Sequence, residues 1–207
     1  KLFGTFVQTR HSVEKIVARA KAMDDGRVAS EIKTMRREGR VNEETVSGAH
    51  LDKAARVFLA LRDFAEDNRY DALAISCWSR FQELYGVAVC AAMSRLNNNG
   101  IVASCEGDVP GALSMLMFNA MNGERASLHD LVSFDESDST VNLWHCGVCP
   151  GCWADARGVV WDSHFNIGKY EGSHWKGDGV VAEMRFKPSP VTLCAVDSGF
   201  ENLFVLS

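Results

Sequence analysis

Apolar residues recur at helical spacing in two early stretches of the chain, residues 12–23 and 49–67. In the second stretch Val57 and Leu61 fall on one face, and Ser47 stands where a helix cap is expected. The pattern therefore predicts two amphipathic helices. The polar, Gly-containing segment between them is predicted to be a connection.

A different pattern follows, in which short apolar runs alternate with helical ones. "ALAIS" at 72–76 and "IVASC" at 101–105 are typical of buried strands, and residues 82–97 between them predict a helix that ends at "NNNG". Strand, helix and strand in this order predict a right-handed βαβ unit with a parallel sheet. Ligands of such sheets gather at the carboxyl ends of the strands.

The helix predicted after the second strand has clear end signals. Asp108 can cap it, Pro110 suits its first turn, and Gly123 can end it. Its sequence, "VPGALSMLMFNAM", is apolar on nearly every side, so we expect it to be buried.

Beyond Gly123 the pattern changes to short β-rich runs separated by Gly, Asp and Pro: "ASLHDLV", "TVNLWHC", "VVAEMRFK" and "VTLCAV". We therefore predict an α/β protein in which a parallel βαβ sheet region precedes a mainly antiparallel β domain. Residues 1–123 would be part of a Rossmann-like α/β domain, and residues 124–207 a β-rich C-terminal domain that is cut short.

Charge and composition exclude several classes. The first 70 residues carry 14 Lys and Arg against 11 Asp and Glu, and the rest carry 8 against 16, so a nucleic-acid surface is not expected there. No apolar run reaches the roughly 18 residues of a membrane helix. Seven scattered cysteines suit reduced thiols, and we predict a cytoplasmic protein without a membrane or nucleic-acid partner.

Two carboxylates are candidates for chemistry. Glu106 follows a predicted buried strand and precedes the helix cap, where a carboxylate needs a cation, a hydrogen-bond network or a proton. Asp130 lies 24 residues later, in the first β run. Two converging carboxylates suit a hard divalent ion, although a solvated turn explains Asp130 equally well.

The segment "WHCGVCPGCW" at 144–153 permits a second kind of site. His145, Cys146, Cys149 and Cys152 could hold zinc or part of an iron–sulfur cluster. A ferredoxin-type run needs a fourth cysteine close behind, and the segment also suits an ordinary turn with reduced thiols.

Five further residues are candidates for binding substrate. Trp78, Arg80 and Gln82 begin at a strand end, and His164 and His174 lie among Gly and aromatic residues, as in a binding loop. A packed Trp, a solvated Arg and structural histidines would explain the same pattern.

The combination of "CEGDVPGALSMLMFNAMNG", "LHD" and "WHCG" resembles the L-fucose isomerase family and its relative L-arabinose isomerase. Members have two N-terminal α/β domains and a β-rich C-terminal domain, and they generally form hexamers that bind manganese. The chain resembles the later part of the second α/β domain and the start of the C-terminal one. The resemblance thus implies the C-terminal half of a longer, homo-oligomeric protein, with a hexamer as the usual assembly.

The resemblance also implies roles for individual residues. Glu106 matches the family's metal-binding acid/base, and Asp130 matches the second carboxylate, which is Asp in the fucose branch. His145 resembles a metal-side histidine of the arabinose branch. The implied cofactor is Mn²⁺ or another divalent cation, and the last metal-binding histidine of the family would lie beyond this sequence.

The predicted function is aldose–ketose isomerisation of a small sugar through an ene-diol intermediate, with Glu106 and Asp130 as catalytic residues. One alternative is a non-catalytic sugar-binding or assembly fragment of such a protein. A more distant alternative is a zinc or iron–sulfur protein built on Cys146, Cys149 and Cys152.

Overall fold

The computed structural model describes residues 7–168, 177–197, 199 and 201–206. The chain is a mixed α/β protein with several small sheets. The helices are α1 (Val13–Lys21), α2 (Asp25–Glu38), α3 (Gly48–Asn68), α4 (Arg80–Tyr85), α5 (Cys90–Asn98) and α6 (Val109–Asn122). The strands are β1 (Gly39–Val41), β2 (Ala72–Ala74), β3 (Val102–Ser104), β4 (Asp130–Asp135), β5 (Thr140–Trp144), β6 (Val159–Ser163), β7 (Val180–Glu183), β8 (Leu193–Val196) and β9 (Leu203–Leu206).

Helix α3 lies at the centre of the core and contacts α1, α2 and α5. The pattern that predicts α1 and α3 is confirmed, and Val57 and Leu61 are both buried. Because neighbouring helices cover the apolar face of α3 on several sides, most of its inward side chains are removed from water. Burial of this apolar surface is the main contribution to the stability of such a core.

The connection predicted between α1 and α3 is wrong, because α2 lies there. The side chain of Asp24 accepts a hydrogen bond from the backbone N–H of Arg27 and so caps α2, although "DDG" in the sequence is typical of a turn. The inner face of α2 carries few apolar residues, since Val28 and Met35 share it with the charged Glu31. This weak apolar pattern explains why the helix is hard to predict.

The predicted strands β2 and β3 are confirmed, and they pair in parallel with Leu73 opposite Ala103. The helix predicted between them is in fact two, α4 and α5, because Gly86 ends α4 in the left-handed conformation. The end signals of α6 are also confirmed: Asp108 accepts from the N–H of Gly111, and Gly123 is left-handed. The prediction of a buried α6 is confirmed only in part: α6 contacts β2, β3 and β8, and Ala112 and Met115 are buried, but Met121 is 75% exposed.

Beyond α6 the described residues form three antiparallel pairs: β4 with β5, β6 with β7, and β8 with β9. Strand β6 also pairs in parallel with β1, with Gly39 opposite Val159. A side chain at Gly39 would meet the Trp161 indole at 2.8 Å, so the close approach of β1 to β6 requires glycine. The sheet β1-β6-β7 and the core therefore run across residue 124, and the domain division there stays a prediction.

None of the helices in the described part of the chain is both long and apolar enough to cross a membrane.

Candidate active site

The carboxyl ends of β2 and β3 lie side by side because the two strands are parallel. The pairing extends past the strands, where Ile75 N–H donates to Ser104 O at 2.9 Å and Gly107 N–H donates to Ile75 O at 3.0 Å. The residues that follow each strand are therefore held together. This edge is where an α/β sheet is expected to place a ligand site.

Glu106 lies at this edge, but its environment differs from the expectation. Cys105, which directly follows β3, is buried. The next residue, Glu106, is exposed and adopts a left-handed conformation (φ 61°). The expectation of a buried carboxylate is wrong because the chain turns toward solvent directly after Cys105. Non-glycine residues at positive φ are uncommon in proteins overall, and those that occur are concentrated at functional sites.

The β4–β5 hairpin brings Asp130 to His145. Asp130 is paired with Trp144 across the hairpin, and His145 follows Trp144 directly. Asp130 is exposed, whereas His145 is buried with 9% of its surface accessible. Strand pairing therefore brings together two residues that are 15 positions apart in sequence.

The groups around His145 shift the pKa of its imidazole. Burial by itself lowers the pKa of an imidazole, but the hydrogen bond and negative charge of Cys146, together with the charges of Asp130 and Glu106, outweigh it and raise the pKa of His145. Both candidate carboxylates thus lie within electrostatic range of the same imidazole. Among the described residues, the side chains of Glu106 and Asp130 form no hydrogen bond or ion pair.

Gly147 fixes the position of His145 and Cys146. It adopts φ 78°, and a side chain there would meet the Val181 Cβ at 2.6 Å and the backbone N of Ala182 at 2.9 Å. The loop after β5 therefore lies directly against β7, an approach that only glycine permits.

The three cysteines of the 146–152 segment separate. The Cys149 Sγ lies 3.8 Å from His129 Nε2, and Cys152 is exposed, with its N–H donating to Asn98 Oδ1. Among the described residues, the two groups that bring three potential ligand atoms within 4.8 Å contain neither of them. Cys146, Cys149 and Cys152 therefore do not form a single metal-binding cluster in the described structure.

The predicted substrate-binding residues are distributed differently. Trp78 is 45% exposed, and Arg80 forms ion pairs with Glu14 and Glu83. Gln82 is buried, and its Nε2 donates to Cys77 O and Val87 O at 3.0 and 3.1 Å, which is a structural bridge.

His164 is buried beside Cys90 and Cys146 and stacks on Phe165, and His174 lies outside the described residues. Contact of any of these five side chains with substrate stays a prediction.

The sequence did not indicate that Cys90 and Cys105 are buried near Cys146, or that the partly buried Cys77 contacts Cys105. One signal was present, because Cys77 and Cys105 both follow predicted neighbouring parallel strands. No sequence pattern indicates that His129, next to Asp130, is partly buried. Burial, and then the charge of His145, lower the pKa of His129.

The donors at the edge suit a divalent cation. Glu106 and Asp130 offer oxygen atoms and His145 an imidazole, a set that hard and borderline dications accept. The two carboxylates are not engaged with each other, and neither belongs to a group of three ligand atoms in the described part of the chain. The chemistry of the donor set fits the predicted ion, and its ligands stay a prediction.

The family model of the L-arabinose isomerase central domain matches residues 1–124. The chain belongs to this L-arabinose isomerase family. Membership confirms the broader resemblance to fucose and arabinose isomerases. The assignment to the fucose branch, which depends on Asp130, stays untested.

Three curated proteins are similar to this member of the arabinose isomerase family, and each is named a sulfoquinovose isomerase. The protein from Clostridium sp. (strain MSTE9) is 34% identical over 142 residues, which are 68% of this chain and 30% of that protein. The one from Alkalicoccus urumqiensis is 33% identical over 197 residues, 94% of this chain and 42% of that protein. The one from Priestia aryabhattai is 36% identical over 107 residues, 51% and 23%. The chain spans less than half the length of each relative.

Proposed function

We propose that this chain belongs to a metal-dependent aldose–ketose isomerase whose active site includes Glu106, Asp130 and His145. The single observation that carries the proposal is their arrangement: Asp130 pairs with Trp144 beside the buried His145, and Glu106 follows Cys105, whose sulfur lies within 4.8 Å of a ring nitrogen of His145. Family membership and three relatives named as sugar isomerases support it.

The proposed substrate is sulfoquinovose, because all three relatives carry that name. L-fucose and L-arabinose are the competing substrates, which the family resemblance suggests.

The proposed ion is Mn²⁺ or another divalent cation held by Glu106, Asp130 and His145. When bound, it would make the hydrogen on the sugar carbon acidic by drawing electron density from the neighbouring oxygens. An unassisted carboxylate is too weak a base for a sugar C–H bond.

Glu106 is the proposed proton carrier. Its exposed position lets an open-chain sugar approach its carboxylate, which accepts the proton of C2 and returns it to C1. The hydroxyl proton passes from O2 to O1, so the atoms balance and an aldose becomes a ketose. Asp130 orients the sugar oxygens opposite Glu106.

The test is ketose formation by the intact protein from sulfoquinovose, L-fucose and L-arabinose, with Mn²⁺ and after removal of metal by a chelator. We expect metal-dependent turnover of sulfoquinovose and a loss of about 10²–10⁴-fold in kcat in Glu106→Gln. The control is Glu136→Gln, the same chemical change in the exposed turn between β4 and β5, which should keep full activity.

Two outcomes would contradict the proposal. Binding of the sugar by calorimetry without any turnover would favour the non-catalytic fragment, and turnover that survives Glu106→Gln would remove the proposed base. Preference for L-fucose or L-arabinose would keep the isomerase and change the substrate.

A further inference from the structure

Two sets of potential metal ligands adjoin the carboxylates of the candidate active site. Within the part of the chain that the structure describes, Cys105, His145 and Cys146 form one set, and Cys90, Cys146 and His164 form the other. In each set the three ligand atoms lie within 4.8 Å of one another. Because Cys146 belongs to both sets, the two histidines decide which set suits an ion.

His164 is suited to donate a hydrogen bond and not to bind an ion. Its Nδ1 accepts from the backbone N–H groups of Asn166 and Ile167 at 3.0 and 3.2 Å, so the ring hydrogen of the neutral form lies on Nε2. Neither nitrogen then has a lone pair left for an ion. The Nε2 hydrogen can instead be donated to the nearby Cys146 sulfur, the kind of outer contact that orients ligands in metal sites.

The ring of His145 has the geometry of a ligand. Its Nδ1 lies 3.4 Å from the Cys146 Sγ. A sulfur and a nitrogen bound to one tetrahedral zinc ion are about 3.6 Å apart, since the Zn–S bond is about 2.3 Å and the Zn–N bond about 2.0–2.1 Å. Coordination would replace a single hydrogen bond, which Nδ1 accepts from the backbone N–H of Cys146 at 2.9 Å. His145 thus gives up less than His164 would.

Cys105 supplies the third ligand. Its sulfur lies within 4.8 Å of the ligand atoms of His145 and Cys146, and two sulfurs on one zinc ion are about 3.8 Å apart. Cys105 is fully buried, His145 is 9% exposed and Cys146 is partly buried, so an ion there would have little contact with water. Two thiolates and a neutral imidazole balance the charge of a dication. The complex would therefore avoid the cost of burying an uncompensated charge.

We propose that Cys105, His145 and Cys146 bind one thiophilic ion, such as Zn²⁺, which competes for His145 with the divalent cation of the proposed isomerase. Sulfur donors select zinc and similar ions, whereas carboxylates such as Glu106 and Asp130 select manganese or magnesium. A neutral imidazole has one lone pair, so His145 in that form serves one ion at a time. Zn²⁺ would therefore inhibit turnover. The inhibition rests on the proposed function, but the binding of Zn²⁺ does not.

The first test is titration of the intact protein, reduced and stripped of metal, with Co²⁺ and with Zn²⁺ against a chromophoric chelator. Thiolate complexes of Co²⁺ absorb strongly in the near ultraviolet, in proportion to the number of sulfur ligands. Cys105→Ser should leave one sulfur ligand in place of two and weaken Zn²⁺ binding by more than about 100-fold, since even the loss of an outer contact costs about 10–100-fold. Absence of the thiolate band, or binding that is unchanged in Cys105→Ser, would overturn the proposal.

The matched control is Cys90→Ser, the same chemical change at the second set. Cys90 is 3% exposed and Cys105 is 0% exposed, and the Cys90 Sγ lies 3.5 Å from the Cys146 Sγ. We expect Cys90→Ser to keep both the thiolate band and the Zn²⁺ affinity. A greater loss in Cys90→Ser than in Cys105→Ser would place the ion on the second set and overturn the proposal.

A second variant is available if Cys105→Ser does not fold. Cys146→Ser changes a partly exposed position and should also lose one sulfur ligand. Retention of both sulfur ligands in Cys146→Ser would overturn the proposal.

Enzyme kinetics test the competition for His145. Each protein is assayed in excess Mn²⁺ with and without Zn²⁺, and the ratio of the two rates is compared between the unmutated protein and Cys105→Ser. We expect Zn²⁺ to lower the rate of the unmutated protein and to have much less effect on Cys105→Ser. Equal inhibition of both would overturn the competition by placing Zn²⁺ on the carboxylates. Zn²⁺ binding that depends on Cys105, in a protein without isomerase activity, would support the ion site and contradict the proposed function.

Discussion

Helix α3 and the β4–β5 hairpin are both rich in apolar residues, but the fold treats them in opposite ways. In α3 Leu51, Phe58 and Leu61 keep 0–3% of their surface exposed. In the hairpin Leu131 and Phe134 keep 63% and 67%.

The two regions differ in the number of elements that pack against them. Helix α3 contacts α1, α2 and α5, whereas the two strands of the hairpin mainly contact each other. An apolar pattern therefore reports what a segment can bury, and the surrounding elements decide whether it does. The candidate site combines both situations, because Glu106 follows a strand of the packed region and Asp130 begins the hairpin.

The largest expected effect tests this contrast directly. Phe58→Ala should reduce the free energy of unfolding by about 3–5 kcal/mol, because it opens a cavity in the core and removes the ring over which Arg62 and Arg95 lie. Phe134→Ala, the same change in the hairpin, should stay within about 0.5 kcal/mol. Urea unfolding of both variants measures the difference, and equal losses would show that the hairpin is covered in solution.

A smaller effect concerns the buried ion pair that joins α2 to α5. Arg95 Nε donates to Glu31 Oε1 at 2.8 Å, and both side chains are less than 10% exposed. Glu31→Gln should cost about 2 kcal/mol in urea unfolding, since it leaves part of a buried guanidinium charge unpaired.

The control for this pair is Glu83→Gln, which breaks the exposed pair with Arg80 and should leave the urea unfolding midpoint almost unchanged. A cost for Glu31→Gln no greater than that of Glu83→Gln would mean that water reaches the inner pair.

The next effect lies where the packed region meets the site. Asp108→Ala should cost about 1 kcal/mol, because Asp108 Oδ1 accepts the backbone N–H of Gly111 at the start of α6. Ser12→Ala at the start of α1 should cost much less, since Ser12 makes no side-chain cap hydrogen bond. Thermal unfolding of the two variants would contradict this if the order were reversed.

The smallest effect is a pH dependence. Hydrogen bonds from Arg27 hold the pKa of Asp63 below its ordinary value of 3.8, and both guanidinium–carboxylate distances are 2.8 Å. A carboxyl with a lowered folded-state pKa stabilises the fold above its unfolded pKa, and this contribution is lost as pH falls through the folded pKa.

Asp63→Asn should therefore cost less than about 1 kcal/mol at pH 7, and the difference should shrink below about pH 4. Urea unfolding at pH 7 and pH 3 checks the sign, and a difference that grows on acidification would contradict it.

Local signals predicted much of the fold. The cap at Asp108, the stop at Gly123 and the paired strands β2 and β3 all rest on residues that act within a few positions of one another. Helix α2 was missed because Glu31 interrupts its apolar face, and that glutamate is satisfied only by Arg95, 64 residues later.

The candidate site was predictable to the same extent. The sequence identified Glu106 and Asp130, but strand pairing over the hairpin decides that Asp130 lies beside His145. The contact between the Cys90 and Cys146 sulfurs could not be predicted from spacing, because the two residues lie 56 positions apart and only the tertiary fold brings them together.

Strand β1 is synthesised long before β6, the strand with which it pairs. Its neighbour β6 lies 120 positions farther along, so at about 5–20 residues per second a ribosome needs about 6–24 s to supply it. Until then α2 lacks the Trp161 indole that donates to Met35 O at 2.8 Å. During synthesis the helical half therefore stays open along the edge that β6 later covers.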